Sequence, residues 1–231
     1  VCIMKEYAPK AKIAIVESDS FERNAEEAFA RLGYSDLVTR HGVELVNLTR
    51  EEKILISLLK GSFLKKTGLP LTFLNCDFFI SVSKLKTHFF ERYTGVLKNQ
   101  FGCVPEKIKT HFHPFLKQVI PDINSLIRPD FCVLDGIVAM QGKGPTWGGK
   151  SKRIDVLLFS DDPVAIDTVG CKIMGINPKS VPHVVSCYKR GIGTMKDIEI
   201  VGEDLNSVRS TFEVPDRYTY YSCRSGLLMQ R

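Results

Sequence analysis

Several signatures of cofactor-binding proteins are missing from this sequence of 231 residues. Its seven cysteines, Cys2, Cys76, Cys103, Cys132, Cys171, Cys187 and Cys223, form no CxxC or CxxxC pair. That removes the ligand spacing of iron–sulfur clusters and structural zinc. An odd count at this density also argues against a disulfide framework, and so for a reducing compartment, the cytoplasm. Cys76, Cys132 and Cys171 lie in apolar runs and read as core thiols. Neither GxGxxG nor GxxxxGK[ST] occurs, so the common dinucleotide and P-loop phosphate cradles are absent. The longest apolar stretch, 69–82, is broken by Pro70, Asn75 and Asp77 and falls short of a bilayer span. Residues 1–12 carry charge throughout and lack a secretory apolar region. The start at Val1, not Met, suggests a processed or truncated chain. No charge of one sign dominates, since 32 Lys and Arg face 26 Asp and Glu for a scattered net +6. Nucleic-acid binding is not expected from that balance.

What is present is ample apolar material, 44% of residues with 25% charged, the proportions of an ordinary globular domain. The opening reads β–α–β: a strand at 12–16, a helix carrying Phe21, Ala25, Ala28, Phe29 and Leu32, and a strand at 43–48. Asp19 with Glu22 resembles a capping box, and Gly33 a helix stop. Further strand-like runs fall at 54–59, 78–82, 131–134 and 156–159. Helical patterns fall at about 92–101, 114–127, 163–174 and 180–190. The runs at 78–82 and 156–159 lack clean alternation, as strands covered on both faces do. The expected fold is one α/β domain over 1–231, a mixed, mostly parallel sheet with helices on both faces, ending in a loosely packed tail at 215–231.

Ligands of open α/β sheets bind outside the carboxyl ends of strands, and three polar segments follow strand-like runs. The first, Ser83-Lys84-Leu85-Lys86-Thr87-His88, gathers ammonium, hydroxyl and imidazole groups suited to a carboxylate or phosphate. Its plain alternative is an edge strand guarded by lysines. Lys98 and Asn99, on a short helix ending near Gly102, could turn back over the same pocket. The second begins at Asp135-Gly136 and runs through Gly142, Lys143 and Gly144 to Gly149. Its glycines let backbone N–H groups approach a ligand, and Trp147 would make it a lid or an aromatic platform. In the third, Asp162-Pro163 opens a helix on which Asp167 sits among apolar residues. A carboxylate there needs a partner, and a lysine of the first segment is the natural one. His111 and His113 alternate without a third ligand nearby, too little for a metal site.

Taken together, "SKLKTH…TGVLKNQFG", "DGIVAMQGKGP" and "SDDPVAIDTVGCKIMG" resemble the prokaryotic proteins grouped as domain of unknown function family 362. The likeness covers about 77–193. It implies an α/β fold and a set of positions, but no reaction. Many members of that family carry a ferredoxin-like module with two four-iron clusters beside this domain, and commonly an upstream strand with a Lys-Pro-Asn segment. Neither that segment nor a cysteine cluster occurs here.

The expected site follows. Ser83, Lys84, Lys86, Thr87, His88, Lys98 and Asn99 hold an anionic group, with Asp135 and Asp167 facing them, and Gly142, Lys143 and Gly144 close over it. Lys86 or His88 would be the general base toward a carboxylate- or phosphate-bearing metabolite. The rival expectation is an accessory or electron-transfer domain whose lysines dock an iron–sulfur protein or module from a flat exposed face. No membrane partner and no metal ligands are expected, and the sequence leaves the identity of any cofactor open.

Overall fold

Short apolar strands alternate with helices along the chain, and the computed structural model, which describes residues 1–20, 23–106, 108–145 and 148–215, shows how they are used. These residues form two compact units, one comprising 1–56, 66–75 and 102–111, the other 57–65, 76–101 and 112 onward.

In the first unit, α1 (Cys2–Tyr7) precedes β1 (Ala14–Glu17), α2 (Ala25–Arg31), α3 (Ser35–His41) and β2 (Glu44–Asn47). β1 and β2 pair in parallel, Ala14 opposite Glu44, so the β–α–β opening is real. The cap differs from the capping box expected. Asn24 accepts from Glu27 N–H at 2.9 Å, while Asp19 accepts from Ala25 N–H and from Asn47 Nδ2 at 3.0 and 2.8 Å. An Asn closer to the first apolar turn is as good a cap. Gly42 ends α3 in the left-handed region, φ 61°. β3 (Lys53–Ser57) and β4 (Lys66–Pro70) make a further two-stranded sheet, followed by the single turn α4 (Leu71–Leu74).

The second unit holds the larger sheet. β5 (Ile80–His88), β6 (Arg92–Thr94), α5 (Val96–Asn99), α6 (Leu116–Leu126), β7 (Phe131–Gly142), β8 (Gly149–Ser160), α7 (Pro163–Ile173), α8 (Pro182–Lys189) and α9 (Leu205–Val208) follow in order. The spatial order is β6-β5-β7-β8; β5–β7 is parallel and the outer pairs are antiparallel. A mixed α/β architecture is therefore present. Two segments expected to be loops are strand: SKLKTH completes β5, and 135–142 completes β7. Ladder pairing with β7 and β6 keeps the polar run extended, while β8 carries the glycine-rich stretch as a hairpin arm, Gly142 opposite Gly149. The 92–101 helix shrinks to one turn because Arg92–Thr94 pairs with β5.

One face of this sheet is core. Ser81, Ser83, Leu85 and Thr87 of β5 and Cys132 and Leu134 of β7 are buried. α7 lies against this face: a Cβ on Gly170 would stand 2.8 Å from Leu134 Cδ2 and 3.3 Å from Leu85 Cδ1. Burying each such leucine contributes roughly 1.5–3 kcal/mol. The opposite face is left open, with Val82, Leu157 and Phe159 exposed and Phe131 stacked on Phe159 at 6.2 Å between centroids. Cys132 and Cys171 are core thiols as expected, whereas Cys76 is exposed. Residues 216–231 and Trp147 lie outside the described residues, and so do the loose tail beyond Pro215 and the aromatic lid expected of them. Among the described residues, no helix is long and apolar enough to cross a membrane.

Candidate functional site

Strand alternation and register decide which polar groups meet. Lys86 is opposite Thr94 and His88 opposite Arg92 in the antiparallel β5–β6 pair. Partners across such a pair start from one face, so the register brings Lys86, His88, Arg92 and Thr94 to one corner, where Arg92 also acts on the buried Cys171 thiol of α7. The corner is tightly built, since Arg92 follows the turn with φ 65°. That is an unfavourable conformation for a non-glycine residue, of the kind found at functional sites. Arg92 Nε and Thr94 Oγ1 are buried with no hydrogen-bond partner among the described residues.

Around the cluster, His88 is buried and its Nδ1 accepts the N–H groups of Phe90 and Glu91 at 3.0 and 3.3 Å. Burial, reinforced by Lys98, His113, His183 and Lys86, keeps this imidazole well below its ordinary pKa. Two donors on Nδ1 put the ring proton on Nε2. His88 is thus held as a neutral donor, which departs from the general-base role expected of it. Lys98 is half-buried, its ammonium 5.6 Å from the Phe101 ring centroid. Burial, then repulsion from Lys86, pushes it down to about 8, against a pull from Glu91. Behind them, Glu91 Oε2 and His183 Nδ1 are 2.9 Å apart and both side chains are buried. Neither was singled out from the sequence; the signal available for Glu91 was a lone acid directly after an aromatic pair.

Asp167 does not face the lysines. It lies on α7, across the sheet from the Lys84–Lys86–His88 face, and is fully buried. Its partners are Val96 N–H at 2.8 Å, Leu97 N–H at 3.0 Å and Tyr93 Oη at 3.1 Å. Burial raises it to about 6 in spite of those donors. The lysine partner expected for it is replaced by the backbone of α5, so Asp167 fixes the helix that carries Lys98. Asp135 is on the open face with Lys84 Nζ 2.6 Å from its Oδ2. Burial pushes its pKa up, but the hydrogen bonds from Lys84 and Ile137 N–H and the charge of Lys84 together outweigh that and hold it below its ordinary value. The two acids lie on opposite faces of the sheet, so one hollow lined by both is not formed.

The remaining candidates are structural in their contacts. Ser83 Oγ donates to Val133 O, Thr87 Oγ1 donates to Gly142 O at 2.7 Å, and Phe89 N–H donates to Gly144 O at 3.1 Å. Gly142 and Gly144 therefore brace the end of β5 from the hairpin, and Lys143 is exposed. Asn99 turns to Ser81 Oγ and Val82 O, at 3.2 and 3.4 Å, away from the Lys86 side. In the first unit, a cluster unforeseen from the sequence sits after β1. Lys109 Nζ donates to Ser18 Oγ and Asp19 O at 2.5 and 2.8 Å. Burial lowers that lysine's pKa, opposed by Glu17, Cys103, Asp19 and Glu106. Among the described residues no three His, Cys, Asp or Glu side chains gather as metal ligands.

A thylakoid-associated protein of Synechocystis sp. is 31% identical over 126 residues, 52% of this chain and 39% of that protein. The chain therefore spans about two fifths of the length of this relative. No solved structure matches it. The profile described as Domain of unknown function (DUF362) matches residues 1–172, reaching well upstream of the polar segments and across β5, β6, α5 and all but the last residue of α7. Three quarters of the sequence, including nearly every element that builds the cluster, carry that pattern, and the chain belongs to the DUF362 family.

Proposed function

We propose that this chain is a cytoplasmic enzyme that binds a small carboxylate- or phosphate-bearing molecule at the β5–β6 corner, with Lys98 as the proton-transferring group. The observation that carries the reading is the buried Arg92 Nε, without an acceptor among the described residues, on the strand pair that also holds Lys86, His88 and Thr94. A buried N–H donor left unpaired costs about 1–3 kcal/mol, which an anionic ligand would recover. Lys86 and Arg92 supply charge, and the neutral His88 and Thr94 supply further donors. A lysine at about 8 exists as both ammonium and amine near neutral pH, as acid–base work requires. The unpaired thiols among the described residues agree with a reducing cytoplasm.

The test is calorimetric titration of the chain with malonate and with a small phosphomonoester, beside Arg92→Gln and Lys98→Met. Saturable binding to one of the two, weakened about tenfold or more in Arg92→Gln and with its pH dependence lost in Lys98→Met, supports the reading. Binding to neither, or binding of which no part responds to either substitution, overturns it.

A second reading rests on the open sheet face, where Val82 is 65% and Phe159 58% exposed beside the Lys84–Asp135 pair. A flat apolar face with a charged rim suits docking of a partner domain, such as the iron–sulfur module found beside other members of the family. Chemical-shift titration with a two-cluster ferredoxin tests it. Shifts confined to β5, β7 and β8 and lost in Val82→Glu support docking, and a spectrum that does not change removes it.

A further inference from the structure

The packing of α6 on α8 leaves a second concavity, lined by residues other than those of the β5–β6 corner and foreshadowed only by two helical patterns. Its volume is about 300 Å3, and Ser62, Lys117, Gln118, Ser186, Lys189 and Arg190 line it. This is at the small end of ligand pockets.

Its floor is prebuilt. Asp122 of α6 is fully buried and its carboxylate accepts the N–H groups of Ser62, Phe63 and Leu64, each at 2.8 Å. Arg190 Nη1 is 2.6 Å from Asp122 Oδ1, and Nη2 donates to Ser62 Oγ. A carboxylate with four donors is electrostatically satisfied, so it orients Arg190 without opposing an incoming anion. Two of the five guanidinium N–H groups are engaged this way and three remain for a ligand. Lys117 and Lys189 stand exposed at the rim, and among the described residues neither makes an ion pair. The hydroxyls of Ser62 and Ser186 add donors. Gln118 lines the cavity and contributes an opposite requirement: its Oε1 is covered by protein with no hydrogen-bond partner among the described residues, and turning the amide toward the cavity would present that acceptor to a ligand.

We propose that this cavity binds a small phosphomonoester bearing a hydroxyl group. Phosphate is the oxyanion that can use three cations at once, since it offers three acceptor oxygens and up to two charges. The hydroxyl supplies the donor that Gln118 Oε1 lacks. A ligand of this kind is held by Arg190 from below and by Lys117 and Lys189 from the rim, with Gln118 selecting for the alcohol.

Phosphorus NMR of the whole chain, titrated with glycerol phosphate, inorganic phosphate and glycerol, tests the assignment. Glycerol phosphate is expected to bind saturably and more tightly than inorganic phosphate, with glycerol failing to displace it. The surface double substitution Lys117→Ala with Lys189→Ala is expected to weaken it about tenfold, the loss of two partly exposed charge contacts. Gln118→Leu is expected to remove the preference over inorganic phosphate. The titrations are run in the Arg92→Gln, Lys98→Met background, where the β5–β6 corner no longer contributes, and the binding described here is expected to persist there. No saturable phosphate binding in that background, or binding there that the Lys117→Ala with Lys189→Ala substitution leaves intact, overturns the site. Inorganic phosphate binding as tightly as glycerol phosphate overturns the role given to Gln118.

Discussion

At the scale of single residues, one half-buried and one fully buried group make opposite contributions to pH dependence. Lys98 titrates near 8 in the folded chain but near 10.4 when unfolded. Between those values the unfolded chain holds the extra proton, so this residue makes stability rise with pH across that window and lowers it at neutral pH. Lys98→Met is therefore expected to raise the urea midpoint at pH 7 and to flatten its rise between pH 8 and 10. Carbon NMR of the Lys98 ε-methylene should show a midpoint near 8; an ordinary lysine midpoint would contradict the burial argument. Asp167 runs the other way. Its folded value of about 6 exceeds the unfolded 3.9, so its contribution is present in full below about pH 4 and is lost as pH rises to 6. Asp167→Asn should erase that slope. It should also cost about 1–3 kcal/mol at neutral pH, because an amide cannot accept from Val96, Leu97 and Tyr93 together. If α5 loosens as a result, the Lys98 midpoint should climb, a coupling visible in the same NMR experiment.

At the scale of elements, what was legible in the sequence was what local chemistry decides. Asp162-Pro163 does open α7, with Asp162 Oδ1 taking Val164 and Ala165 N–H at 2.8 Å each. Helices α6, α7 and α8 fall within a few residues of their patterns because caps and periodicity are written locally. Strand ends were not legible. The polar half of β5 looks like a loop until β7 and β6 are placed beside it, since hydrogen-bond partners far along the chain hold it extended. The same non-locality hid the faces: alternation put Lys84 and Lys86 together, but nothing local revealed that α7, and Asp167 with it, covers the other side. Gly170 shows how narrow that covering is. A methyl group there would stand 2.5 Å from Tyr93 Oη and 2.8 Å from Leu134 Cδ2, and overpacking of this kind costs about 1–3 kcal/mol. Gly170→Ala should lower the urea midpoint accordingly and, by displacing Tyr93 from Asp167, reproduce part of the Asp167→Asn effect on Lys98. A neutral outcome would mean that α7 slides on the sheet with little resistance.

At the scale of the whole chain, the question is how evenly the fold is held. The second unit places a four-stranded sheet under α7, with Leu85, Leu134, Val164 and Ile166 buried. The first unit relies on two-stranded sheets, its α3 buries no residue, and β3 is exposed along most of its length. Two-stranded sheets are marginal by themselves, and local opening follows buried apolar contact. This division also explains why the candidate site was only half readable. Of its cations, Lys86 on β5 and Lys98 on α5 were visible in motifs, whereas Arg92 is brought in by strand pairing, and Glu91, His183 and the α6–α8 cavity are assembled by packing within the better-held unit. Hydrogen exchange followed by mass spectrometry should then show amides of β5, β7 and α7 exchanging only with opening of the larger unit. Those of β3, β4 and α3 should exchange at least about a hundredfold faster, a gap of roughly 2.7 kcal/mol in opening free energy. Unfolding in guanidinium, read by far-ultraviolet circular dichroism and by exchange, should not superimpose, since two units of unequal stability break two-state behaviour. Uniform protection across β3 and β7 would show instead that the chain opens as one cooperative body, and would make the corner at β5–β6 no more rigid than the elements around it.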